Sequence, residues 1–247
     1  MNKKLSFNIL LLFFVGFSLF TLTSCFQKAP VQVETPPAVS EEKDPVVNMI
    51  SIWVKYTEKD AEEPQGKIFL SFVGDETLSS ETLRRKILDK AISIYNNDGD
   101  GRLLLPNEKM KLSKSQQDTF VNLDFFGLPF SEMCEILEKK GKDLEDSMNK
   151  TGVPIDSRQD MNSLNDFQVW MKAVKEVVEE LNLEAESSSE VNDNKYLELY
   201  EKINSGTGIS IQADKEIPFP VINNVFENLR FLGLNKFTLM TSLKEEE

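Results

Sequence analysis

The chain has 247 residues, with 41 Asp and Glu against 28 Lys and Arg, no histidine, and a formal net charge of −13. The lack of histidine excludes Ser-His and Cys-His nucleophilic chemistry and the usual histidine-bearing zinc sites. The strong negative charge argues against nucleic acid and anionic headgroups as partners, since both are polyanions themselves.

The N-terminus opens on a basic Met1-Asn-Lys-Lys4, continues as an apolar run from Leu5 to Leu22, and closes with Leu22-Thr-Ser-Cys25. That is the layout of a secretory signal. Its last four residues fit a bacterial lipobox, in which Cys25 takes lipid and becomes the mature N-terminus. A membrane span needs about 20 residues, so residues 1–25 also suit a single transmembrane anchor. Both readings place the rest of the chain outside the cytoplasm. Removing residues 1–24 takes away two lysines and makes the net charge about −15. With Cys25 lipidated, Cys134 has no partner for a disulfide. Its neighbours Met133, Ile136 and Leu137 predict a buried helix residue rather than a nucleophile. Residues 26–45, with Pro30, Pro36 and Pro37 among charges, read as a tether.

Order is expected from Val46. Met49, Ser51, Trp53 and Lys55 alternate against Ile50, Ile52, Val54 and Tyr56, as a strand requires. A polar turn leads to a second strand, Lys67–Val73, and the pair predicts a hairpin. Ser79 and Ser80 offer an N-cap, after which Leu83, Ile87, Ala91 and Ile94 mark one helix face.

Residues 96–205 read as a helical insertion. Its predicted helices are Ser131–Lys140, a long stripe through Phe167, Trp170, Val174, Val177, Val178 and Leu181, and a last one at Tyr196, Tyr200 and Ile203. Ser163 and Asp166 resemble a capping box for the long helix. Glu184–Asn194 is polar and serine-rich and reads as a loop. At the start of the insertion, Asn96-Asn-Asp98-Gly-Asp100-Gly101-Arg102-Leu103 follows the first eight places of an EF-hand loop. Asn96, Asp98 and Asp100 would give side-chain oxygens, Arg102 its carbonyl, and Gly101 the sharp turn. Position 12 holds Asn107 instead of glutamate, and Glu108 comes one place late. Calcium binding there is expected to be weak. The competing reading is a glycine-rich turn.

The C-terminal stretch is the clearest part. Ile209 and Ile211 alternate in a strand that ends at Ala213-Asp214-Lys215, and Pro218 suits the first turn of a helix. Val221, Ile222, Val225, Phe226, Leu229 and Leu232 share one stripe. Gly233 supplies a left-handed exit, and Phe237, Leu239 and Thr241 resume the two-residue period. Asp214, at a strand-to-helix junction, reads as a turn cap. Trp53 and Trp170 both sit in apolar patterns that predict packing.

The segment Ala213-Asp214-Lys215, Leu229-Arg230…Gly233, Lys236-Phe237-Thr238-Leu239-Met240-Thr241 resembles the end of the periplasmic domain of the ExbD/TolR family of motor-coupled envelope proteins. The resemblance is clearest over 208–242 and continues in pattern over 46–95. Two departures stand out. Phe219 occupies a place where the family has tyrosine. No Asp or Glu lies between Leu5 and Leu22, where the family carries the transmembrane aspartate on which its motor function depends.

The expected fold is α+β: a small mixed sheet with two helices packed on one face, plus an all-helical insertion. The core comprises residues 46–95 and 206–243, and the strands near 46–56, 67–73, 208–213 and 236–242 should share one sheet. The resemblance implies a non-enzymatic protein acting through contacts. Homodimerisation, a motor subunit of the ExbB/TolQ kind, and a TonB-like partner or peptidoglycan all follow from it. The missing carboxylate points to an accessory or structural role. The alternative is a calcium-binding envelope lipoprotein whose helical insertion binds a ligand or surface partner.

Overall fold

A computed structural model describes residues 37–38, 47–56, 66–76, 78–98, 109–187, 197–213, 217–240 and 242–243. In chain order the elements are β1 (Pro37–Ala38), β2 (Met49–Tyr56), β3 (Gly66–Val73), α1 (Ser80–Asp98), α2 (Lys114–Val121), α3 (Phe130–Glu138) and α4 (Gly141–Lys150). They continue as α5 (Asp166–Ser187), α6 (Leu197–Ser205), β4 (Ile209–Ala213), α7 (Phe219–Phe231), β5 (Thr238–Met240) and β6 (Ser242–Leu243). This is an α+β fold.

The four strands expected to share a sheet do so, in the order β3-β2-β4-β5. β2 pairs antiparallel with β3 as a hairpin, and β2-β4-β5 run parallel. A separate two-residue parallel pair joins β1 to β6. The register puts Ile50, Ile52 and Val54 beside Phe72, Leu70 and Ile68 on one flank and beside Ile209, Ile211 and Ala213 on the other. All nine are buried. A half-buried sheet demands just such an alternation, because successive side chains point to opposite faces.

Local chemistry fixes the entry to α1. A Cβ at Gly74 would lie 1.8 Å from the Leu78 carbonyl oxygen, so only glycine fits that turn. Asp75 accepts from the Leu78 N–H at 2.7 Å and from the Asn48 amide at 2.6 Å. Ser79 caps the helix by accepting from Thr82 N. Leu83, Ile87 and Ala91 then bury completely, as their spacing predicts.

The insertion packs on the sheet instead of standing apart from it. Its residues and the sheet's form one continuous core. The face assigned to two helices also receives α5, whose Trp170 lies 6.1 Å from the ring of Phe72. Tyr95, Phe130, Trp170 and Phe120 stack in a row with successive centroids 4.5, 5.0 and 5.5 Å apart. That row runs from the end of α1 through α3 and α5 to α2, so rings from the first half of the chain are fastened to the insertion. Outside the core, Lys90 on α1 pairs with Glu176 and Glu180 on α5.

Three boundaries differ from the sequence reading, and two helices are additional to it. α5 is capped by Asn165, which exchanges bonds with Gln168: Gln168 N donates to Asn165 Oδ1 at 2.8 Å and Asn165 N to Gln168 Oε1 at 3.0 Å. The box therefore sits two residues beyond Ser163, and Asp166 instead accepts from the Phe130 N–H. The same helix continues to Ser187, into the stretch expected to be loop. Pro218 is the cap before α7 rather than part of its first turn. Two short polar helices, α2 and α4, were not expected at all.

Candidate functional site

The EF-hand-like segment is anchored by Asn96. Its side chain donates to the Met110 carbonyl at 3.0 Å and accepts from the Met110 N–H at 2.8 Å. Both polar atoms of the amide thus clamp the two ends of the loop together. A cation using Asn96 as a ligand would share that oxygen with the Met110 N–H. The side chain of Asp98 and all of Asp100, Arg102 and Glu108 lie outside the described residues. Among the described residues no group of three His, Cys, Asp or Glu side chains is placed to hold a metal ion.

In the C-terminal motif, Ala213 is buried at the end of β4, paired with Val54. Asp214 and Lys215 lie outside the described residues. Gly233 has φ +79°, with its N–H on the Arg230 carbonyl and Leu234 N–H on the Leu229 carbonyl. Those two bonds are a Schellman closure, which needs a left-handed residue at this place. Lys175 of α5 donates to the Leu232 carbonyl at 3.0 Å, adding a cation to the same helix end.

The β4-α7-β5 unit forms one end of the sheet. Phe226 of α7 stacks on Phe237 at 4.9 Å. Because β4 and β5 are parallel, α7 runs back against them. Phe219, two turns before Phe226, and Leu239, two residues past Phe237, are therefore displaced toward the same end. Both are exposed, Phe219 by 68% and Leu239 by 48%. Among the described residues nothing pairs with the far side of β5. A strand edge unpaired among the described residues, together with exposed apolar side chains, can accept an extended segment of a partner. Phe219 presents a wholly apolar ring to solvent.

Two polar assemblies were not foreseen. Arg84, 7% exposed, donates to the Phe72 and Val121 carbonyls at 3.1 and 3.0 Å and pairs with Asp124 at 3.5 Å. Burial lowers its pKa, against the opposing pull of Asp124. The second assembly joins the insertion to α7. Asn228, 1% exposed, donates to the Asp156 and Asn224 carbonyls, both at 2.8 Å, and accepts from Asn165 at 2.9 Å. Burial works against the Asp156 charge. The Arg158 N–H, the Asn165 amide and the Arg158 guanidinium outweigh it and hold the carboxyl below its usual range.

Cys134 is half-buried, and burial, with Glu138 nearby, pushes its thiol pKa up. A thiol so placed is a poor nucleophile. Trp53 donates to Gln212 at 2.9 Å on the sheet's outer face, whereas Trp170 is fully buried. No helix among the described residues is long and apolar enough to cross a membrane, and Cys25 lies outside them. No family model, curated protein or solved structure matches the chain.

Proposed function

We propose that this chain is a non-enzymatic, envelope-anchored ExbD/TolR-like module that works through protein contacts made beside β5. The observation that carries this reading is the union of two distant blocks of sequence. Residues 46–95 and 206–243, which hold the resemblance, build one mixed sheet across the whole length of the insertion. Among the described residues the outer flank of the sheet's last strand is unpaired, and Leu239 and Phe219 are exposed.

The chemistry of such a surface is recognition. Backbone groups of β5 supply hydrogen bonds to an added strand, and the exposed side chains supply apolar area. The partner class implied by the resemblance is a motor subunit of the ExbB/TolQ kind, a TonB-like protein or peptidoglycan. With no carboxylate between Leu5 and Leu22, the chain suits an accessory or structural place in such an assembly better than a proton-carrying one.

Intact mass measurement of the mature protein from native membranes tests the anchor. A chain beginning at lipid-modified Cys25 supports a tethered accessory role. An uncleaved chain supports a spanning anchor and moves the search to motor partners. A chain released into the soluble fraction without lipid or span removes the envelope-anchored reading.

A further inference from the structure

The opposite edge of the sheet, along β3, is closed by the chain itself. Ile68, Leu70 and Phe72 are the residues whose backbone faces outward there. The Ile68 carbonyl accepts from Val153 N at 2.8 Å. Leu70 exchanges both its bonds with Phe126, each 2.8 Å. The Phe72 carbonyl accepts from Arg84 Nε at 3.1 Å. Side chains on the sheet's other face hold the same pieces down: Lys67 donates to the Lys150 carbonyl and Ser71 to the Asp124 carbonyl. Thr151 Oγ1, donating to the Gly127 carbonyl at 2.6 Å, ties the two covering segments to each other.

Two glycines make this contact possible. A Cβ at Gly127 would lie 2.6 Å from the Phe69 ring, and one at Gly152 would lie 2.8 Å from Lys67 Cβ. Neither glycine has a positive φ, so alanine is acceptable to the backbone at both. The close approach to β3 demands glycine at both, and at Gly127 a Cβ would also lie 3.1 Å from Gly152 Cα.

We propose that segments 124–128 and 151–154 are a built-in cover that keeps β3 from pairing with β3 of a second copy. An uncovered strand edge is a template for another strand. This strand suits itself: in an antiparallel two-fold pair centred on Leu70, Ile68 of each copy faces Phe72 of the other, extending the same apolar face. The cover replaces those backbone bonds within one chain. Among the described residues the β5 side is the flank left unpaired. The sheet and its cover are independent of the family resemblance.

The test is Gly127→Ala and Gly152→Ala, singly and together, in the full chain in detergent micelles. Native mass spectrometry and amide hydrogen exchange give the readouts. The expected result has two parts: the Phe126 and Val153 amides exchange about tenfold faster or more, and the protein's mass doubles relative to wild type in a concentration-dependent way. Faster exchange with unchanged mass overturns the proposal, because the uncovered edge then does not associate. Unchanged exchange in folded variants also overturns it, since the glycines then do not control the cover. If Gly127→Ala fails to fold, Gly152→Ala decides by the same criteria, because its added methyl meets Lys67 Cβ at 2.8 Å rather than the buried Phe69 ring at 2.6 Å.

Discussion

Replacing Asn228 by alanine should cost about 3 kcal/mol and destabilise the sheet and the insertion together. Asn228 is 1% exposed and gives α7 its polar link to the insertion, through the Asp156 carbonyl at 2.8 Å and the Asn165 amide at 2.9 Å. Each such bond contributes about 1 kcal/mol net, and a buried group left without its partner costs about 1–3 kcal/mol. The Asp156 carbonyl keeps only the longer bond from Asn165, at 3.3 Å. Alanine's better helix propensity offsets roughly 0.5 kcal/mol. For a domain of this size the melting temperature should fall by about 6–10 °C. Urea unfolding followed through Trp53 and Trp170, each alone in a Trp→Phe background, reports the sheet and the insertion separately. The two transitions should coincide in wild type and move together in Asn228→Ala. A cycle with Asn165→Ala should give a coupling of about 1 kcal/mol. Two separate transitions, or a loss below about 0.5 kcal/mol, would refute the single shared core.

Three further outcomes are expected. Gly233→Ala forces a side chain into φ +79° and should lower stability by about 1 kcal/mol in thermal unfolding, with Gly233→Asn losing less. Asp156 has a folded pKa below its ordinary value, so its contribution is present above the usual carboxylate range and is lost as pH falls through the folded value. Asp156→Asn should therefore flatten the acid limb of the stability profile, measured as urea midpoint against pH. Calcium should bind more weakly than about millimolar by isothermal titration, because position 12 of the loop holds Asn107 in place of the bidentate glutamate. Tighter binding would support the cation reading of that loop.

The strands were legible because alternation leaves a period of two, and β2, β3 and β4 each bury one apolar set. α1, α5 and α7 were legible for the same reason at a period of 3.6. α2 and α4 were not. Lys114–Val121 and Gly141–Lys150 are short and mostly polar, so their helicity comes from context: a Ser113–Gln116 capping box in one case and contact with α3 in the other. Asn165 is hidden in the sequence by Ser163, an equally good cap by type, though the residue that completes the box is Gln168, three places beyond Asn165. Arg84 and Asn228 lie on helices where a charged or amide side chain ordinarily marks the wet face. The cover on β3 has no period at all, since it pairs through single residues, Phe126 and Val153. Its one trace in the sequence was the pair of glycines at 127 and 152, and only the fold reveals what they approach.

The central claim is that this chain acts through contacts beside β5. A photo-crosslinking amino acid at Leu239, compared with one at exposed Glu145 on α4, tests it most directly in the native host. A discrete adduct with an envelope protein or peptidoglycan from position 239, absent from position 145, is the expected result. No adduct from 239, or the same adducts from both positions, would contradict it.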